Sequence, residues 1–250
     1  MTQAGWIRLG VLAGAVGLLE VTCRLGWVSR HAVIAPSEMV RGAWRALGQD
    51  DVRRDVLLTL STVVQSFVLA IVVGFAIGVA LHRLPRLRRA LDPFLASYYA
   101  VPTFVFYPVF IVLFGLNRWP LVAIGFVFAV VAVAINTLDG LSRVPRAFLR
   151  TARVMKLSGV QTLARIVLPA AAPWLFTGAK FAVAYSFIGV IAGEFVQAGA
   201  GIGFAIAFAY NSFDNLTMYG LMILLFGIVG TINMTLWSWE RRLYARRGGR

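Results

Sequence analysis

Residues 150–169 read RTARVMKLSGVQTLARIVLP, and every charge among them is basic: Arg150, Arg153, Lys156 and Arg165. Long apolar runs lie on either side. From Pro145 onward, Phe148, Leu149, Ala152, Met155 and Gly159 fall near one face of a helix, with Arg146, Arg150, Arg153 and Lys156 elsewhere on it. A second helical stretch, Gln161–Leu168, leads into Pro169. Proline has no backbone N–H to donate, so a break is expected before the next apolar run. The segment reads as two short helices held against a membrane. It either fixes topology as a basic loop or docks a cytoplasmic partner by inserting apolar knobs into a groove.

The rest of the chain sets this segment in a bilayer. Of 250 residues, 60% are hydrophobic and 14% charged, and mean hydropathy is +0.80. A soluble domain of this length cannot hide so much apolar surface, so an all-α polytopic membrane protein is expected. A helical span needs about 20 mostly apolar residues. Six runs qualify, at about Trp6–Cys23, Val56–Leu81, Pro93–Leu116, Trp119–Leu138, Ala171–Val196 and Leu216–Trp239. The first is trimmed by Arg8 and Glu20, and the third is broken by Pro102 and Pro108. No small-residue cleavage site follows the first run, which is therefore expected to be retained.

The net charge of +14 does not point to nucleic acid, because the basic residues cluster at the ends of apolar runs. Anionic leaflets and topology select that arrangement. Arg8, the Arg83/Arg86/Arg88/Arg89 cluster, the Arg143–Arg165 segment and the Arg241–Arg250 tail fall on one side and hold 16 of the 24 basic residues. The positive-inside rule makes that side, and both termini, cytoplasmic. Six arginines between Arg24 and Arg54 oppose this, but more sparsely. Cys23 stands alone in an apolar run, and His31 and His82 have no ligand-like spacing, so no disulfide or metal site is expected. In the outer loop, Met39, Val40, Ala43, Trp44 and Leu47 have helical spacing that suits an interfacial helix capped by Ser37; an ordered connector is the alternative.

The stretch 150–169 resembles the EAA loop of permease subunits of ABC-type importers. The family pattern is Glu-Ala-Ala, a glycine four residues past the second Ala, and Ile-x-Leu-Pro ten residues further. Aligned on Ile166, Leu168 and Pro169, Ala152 and the Ile-x-Leu-Pro end match, while Arg150 stands for the Glu and Lys156 for the Gly. Asp92-Pro93, Val101-Pro102, Tyr107-Pro108 and Phe114-Gly115 resemble the third span of the nitrate/sulfonate/taurine-type permeases. Asn136-Thr137, Gly140-Leu141, Val144-Pro145, Gly193-Glu194, Gly201-Ile-Gly203 and Trp239-Glu240-Arg241-Arg242 continue the likeness in order. It covers about residues 56–245.

The resemblance implies a type I importer permease fold in a bacterial inner (plasma) membrane. It implies two ATPase subunits, a second permease subunit in a homo- or heterodimer, and an extracytoplasmic substrate-binding protein. The cargo would be a small anionic or organic solute of the nitrate, sulfonate, taurine or pyrimidine-precursor class. Phe148, Leu149, Arg150, Thr151, Ala152, Met155, Lys156, Gly159, Leu168 and Pro169 would couple to the ATPase. The chain has no Gly-x-x-x-x-Gly-Lys-Ser/Thr loop, so it is expected to be non-catalytic, with ATP and Mg in the partner. One permease domain is expected: the first span and outer helix in 1–55, spans two to four in 56–142, coupling helices in 143–169, the last two spans in 170–240 and a basic tail in 241–250.

Intramembrane polar residues complete the candidates. Lys180 is either a snorkelling cation or part of the pathway, and Glu194 either an interfacial carboxylate or an outer gate. They lie 14 residues, or roughly 21 Å, apart on one helix and cannot pair. Gln65 either joins helices or meets substrate, and Pro102 and Tyr107 belong to an aromatic, kinked run that either lines a pathway or packs against neighbours. Gly74 and Gly78 are spaced for close helix packing. The competing classes are a channel and a membrane-embedded enzyme. The latter lacks paired carboxylates, a metal cluster and a Ser/His dyad in the spans.

Overall fold

Apolar runs in lipid must satisfy every backbone group internally, and the chain does so with helices. The computed structural model describes residues 3–30, 32–197 and 199–248, and no strand occurs among them. His31 and the last two residues of the basic tail lie outside the described residues. The helices are α1 Gln3–Arg24, α2 Pro36–Leu47, α3 Asp50–Arg83, α4 Pro85–Ser97, α5 Tyr107–Phe114, α6 Trp119–Ser142, α7 Arg146–Val154, α8 Gly159–Thr162, α9 Leu168–Gln197, α10 Ile202–Asn211 and α11 Asn215–Gly248.

Five helical stretches are long and apolar enough to cross a membrane: Gly5–Arg24, Asp50–Arg83, Trp119–Ser142, Gly159–Val196 and Asn215–Arg241. The expected third span, 93–116, is not one of them. Its prolines divide it into the end of α4, 3-10 turns at Tyr98–Ala100 and Thr103–Phe106, and the short α5. Pro102 precedes the second turn and Pro108 sits in the first turn of α5, where a missing N–H costs no helical bond. Gly115, with φ 80°, then ends α5. Eight residues rise only about 12 Å, too little to span.

The break expected at Pro169 is also absent. Residues Leu163–Val167 form a π turn that runs straight into α9, with the Leu168 N–H donating to the Leu163 carbonyl five residues back. The wider turn shifts the bonding register just where Pro169 has no hydrogen to give, so the helix continues.

By packing, the chain divides into two compact units, Met1–Thr59 with Glu194–Thr235 and Leu60–Gly193 with Leu236–Arg250. In the first, Ala46, Val52, Ile202, Ile206, Ala209, Met218 and Leu221 form the core. Here α2 presses Met39, Gly42, Ala43 and Ala46 inward, while Val40, Trp44 and Leu47 stay exposed. The apolar stripe expected to lie on a bilayer is therefore shared between core and surface. Ser37 does not cap α2. Its N–H and hydroxyl instead donate to the Glu20 carboxylate of α1, at 3.0 and 2.7 Å.

The second unit is organised around α6, whose small side chains admit neighbours closely. Gly74 of α3 meets Val130 and Val133, and Gly78 meets Ala134 and Thr137. Ala70, Ala129, Val133 and Ala182 form its buried centre. A smaller cluster of Leu141, Val144 and Ala171, with Leu149, Val167 and Leu175 around it, seats α7 and the π turn.

Candidate functional site

Helix α7 starts where the sequence directs. Pro145 holds extended backbone (φ −60°, ψ 130°), and the helix runs from Arg146. Ala152 is buried and Leu149 is half-buried against the Leu141/Val144/Ala171 cluster. Phe148 and Met155 lie 50% and 64% exposed, with Arg150, Thr151 and Lys156 also at the surface. Phe148 and Thr151 line an open groove of about 470 Å³ together with Arg165, Ile166, Pro169 and Ala170. Of the ten predicted coupling residues, the groove gathers Phe148, Thr151 and Pro169. Gly159 is exposed on α8, with open space where a Cβ would stand, and Leu168 is half-buried at the start of α9.

The turn after α7 explains the family glycine that Lys156 replaces. Lys156 has φ 52°, in the left-handed region. Its N–H donates to the Arg153 carbonyl, and the Leu157 N–H to that of Ala152, both at 3.0 Å. This pair of bonds is a Schellman cap, whose left-handed residue is usually glycine. A side chain there costs about 1 kcal/mol or slightly more. Lys156→Gly is therefore expected to stabilise the turn, slowing exchange of the Leu157 amide about fivefold, whereas β-branched Lys156→Val accelerates it. Amide hydrogen exchange on the purified chain reads both.

Next, Ser158 and Gln161 cap α8 reciprocally. The Gln161 N–H donates to Ser158 Oγ at 3.2 Å, and the Ser158 N–H to Gln161 Oε1 at 3.0 Å. The spacing Ser-x-x-Gln is a sequence signal for this box, and its position moves the second helix start ahead of Gln161.

Glu194 is fully buried near the end of α9. Its carboxyl group accepts hydrogen bonds from the Thr59 hydroxyl, at 2.8 and 2.9 Å to its two oxygens, and from the Gly203 N–H at 2.9 Å. Thr59 Oγ1 in turn accepts from the Ile202 N–H at 3.0 Å, and Asp55 Oδ1 accepts from the Gly201 N–H at 2.8 Å. Three successive N–H groups at the start of α10 thus find side-chain acceptors, which meets the demand of the orphan donors at a helix start. Gly201 (φ 106°) brings its backbone against the Glu194 carboxyl, where a Cβ would approach to 2.4 Å.

The remaining intramembrane candidates belong to the second unit. Lys180 Nζ donates to both carboxylate oxygens of Glu240, at 2.9 and 2.8 Å, tying α9 to the end of α11. Gln65 is half-buried, and its Oε1 is buried with no hydrogen-bond partner among the described residues. Tyr107 is buried at the start of α5, and Pro102 is exposed. Among the described residues no cluster of side chains could hold a metal ion. Sequence reasoning did not find Asp55, Thr59 or Glu240 as partners. Thr59 lies 135 positions from Glu194, and Glu240 60 positions from Lys180, so no local spacing could reveal either pairing.

Residues 56–247 match the family described as binding-protein-dependent transport system inner membrane component. The chain is 28% identical over 226 residues to the nitrate import permease protein NrtB of Leptolyngbya laminosa, covering 87% of this chain and 79% of that protein. It is 30% identical over 191 residues to the bicarbonate transport system permease protein CmpB of Synechococcus elongatus, covering 76% and 68%. Its fold is similar to a chain of the MetNI methionine ABC transporter solved in inward-facing conformations, with a TM-score of 0.64 and 21% identity over 76% of this chain and 94% of that one. The family match, the five long apolar helices and this fold agree: the chain is a multi-pass inner-membrane protein belonging to the binding-protein-dependent transport system inner membrane component family, the permeases of ABC transporters.

Proposed function

We propose that this chain is one transmembrane subunit of an ATP-driven importer and forms half of its translocation pathway. A separate pair of cytoplasmic ATPase subunits docks on α7 and the groove beside Pro169. A second permease subunit, the same chain or a different one, supplies the other half, and an extracytoplasmic binding protein delivers cargo. ATP and Mg belong to the ATPase, and this chain is non-catalytic. Both termini are cytoplasmic, and residues 1–250 act as one permease domain.

The observation that carries the reading is the exposed face of 146–163. Phe148, Val154, Met155, Val160 and Leu163 stay at the surface among Arg146, Arg150, Arg153 and Lys156, next to an open groove. Apolar knobs rimmed by charge suit a protein partner. A channel has no need of such a segment. The π turn runs straight into α9, which supports the reading that movement of the ATPase reaches a spanning helix through this segment. Such a switch works only if the partner prefers one state of the chain over the other.

The cargo is a small anion, as the names of the nitrate and bicarbonate relatives support. Gln65 belongs to the pathway, in keeping with its unmet acceptor in a spanning helix. Pro102, Tyr107, Lys180 and Glu194 act there by shaping and holding helices rather than by meeting cargo.

Crosslinking in native membranes tests the docking. Met155→Cys is expected to crosslink to an ATPase subunit, whereas Trp27→Cys, still more exposed but on the outer loop, is not. Equal yields at the two positions, or none at Met155, would remove the support for docking on α7.

A further inference from the structure

Helix α4 has a face that neither the fold nor the transport reading uses. It begins one residue after α3, a spanning helix, and contains no buried residue. At 100° per residue, Leu87, Leu91 and Phe94 form one stripe, with Leu84 at the N-cap just before it, and Arg86 and Arg89 point away from that stripe. Leu84, Leu87 and Phe94 are 53%, 41% and 73% exposed. Arg88 pairs with Asp92, the one acid between Arg83 and Ser97, at 3.8 Å. Arg86 and Arg89 are exposed and make no ion pair among the described residues.

We propose that α4 lies in the membrane surface, with its leucine and phenylalanine stripe in the acyl boundary and Arg86 and Arg89 bound to anionic phospholipid headgroups. Three features favour lipid over a protein partner. First, α4 follows the end of a spanning helix by a single residue, so the bilayer surface is within reach of its whole length. Second, exposed Leu87 and Phe94 lie on one side of the helix with half-buried Leu91 between them, the pattern of a helix lying in the interface plane. Third, the unpaired charge is all positive, complementing an anionic leaflet, where each arginine near the surface strengthens attachment several-fold. Leu95 and Tyr98 pack against the core around Ala70 and Ala129, which anchors the far end of the helix.

The test uses the full-length chain in nanodiscs of phosphatidylcholine with and without phosphatidylglycerol. Native mass spectrometry counts retained lipid, and an environment-sensitive fluorophore on Leu87→Cys reports immersion. Retention of phosphatidylglycerol over phosphatidylcholine is expected, resisting competition by inorganic phosphate and falling roughly tenfold in the Arg86→Gln/Arg89→Gln variant. The Arg86→Lys/Arg89→Lys variant should recover most of it, which separates charge from misfolding. A blue-shifted fluorophore that depends on phosphatidylglycerol completes the expected result. Unchanged retention in the glutamine variant would overturn the proposal. So would displacement of the lipid by inorganic phosphate, which would mark a free-phosphate site. A fluorophore shielded only when an ATPase subunit is added would assign the face to a protein instead. The lipid outcomes leave the importer reading untouched.

Discussion

Gly201→Ala is expected to be among the most damaging single substitutions in the chain. At φ 106° and ψ 164°, Gly201 sits in backbone territory that is essentially reserved for glycine, and a side chain there costs about 1–3 kcal/mol. The added Cβ would lie 2.4–2.7 Å from the Glu194 carboxyl atoms, closer than any real contact allows. Glu194 cannot move aside freely, because it holds the Thr59 hydroxyl and the Gly203 N–H in a buried site. Each buried group left unsatisfied costs roughly 1–3 kcal/mol more. The total, on the order of 4 kcal/mol, is a large part of an ordinary domain's stability. Thermal unfolding of the purified variant is the readout, with a large fall in midpoint expected. Glu194→Ala removes the atom that the methyl strikes, so the Gly201→Ala penalty should shrink in that background. Strictly additive penalties would contradict the proposed clash.

Gly189→Leu should be comparably severe, for a purely steric reason. On α9, a Cβ at Gly189 would lie 2.8 Å from the Gly125 Cα and 3.1 Å from the Ile124 carbonyl of α6. Those are backbone atoms of a buried helix, and they cannot rotate away. The two helices must part, forfeiting the packing on which association of membrane helices depends. Overpacking of this kind costs about 3 kcal/mol or more when the neighbour is rigid. Size-exclusion chromatography in detergent should show little monodisperse protein. Gly227→Leu, on α11 where nothing lies within 4 Å, should behave as the parent chain. Similar profiles for the two variants would mean that α6 and α9 do not pack as described.

Much of the fold was legible because lipid imposes strict rules on sequence. The spans on α3, α6, α9 and α11 follow from apolar length alone, and Pro145 correctly announces α7. Lys156 was legible in another way. The family pattern marks its position as a glycine, and the backbone there indeed turns left-handed. Prolines were read less well, because their effect depends on bonds elsewhere. Pro102 and Pro108 break 93–116 beyond a kink, since 3-10 turns and Gly115 intervene, whereas Pro93 is carried inside α4. Pro169, by contrast, is absorbed by a π turn that residue spacing does not announce. The polar contacts were the least legible part. Glu194 reads as a lone charge until the fold brings Thr59 and the Gly201–Gly203 turn to it, and Lys180 until Glu240 arrives from the far end of the chain. Such pairings are set by tertiary packing, and single-chain spacing carries no trace of them.

The most direct measurement is extraction of the chain from its native membrane in mild detergent, with its partners identified by mass spectrometry. Recovery of an ATPase subunit in stoichiometric amount is predicted, and its loss when Phe148 and Met155 are both changed to Asp, with the chain itself still folded. An additional, different permease in the same complex would identify a heterodimer and place the unusual Arg150 and Lys156 in an asymmetric pair. Recovery of this permease alone with the ATPase would identify a homodimer. A folded chain that carries no ATPase under any extraction condition would contradict the importer reading and return the channel and the membrane-embedded enzyme to consideration.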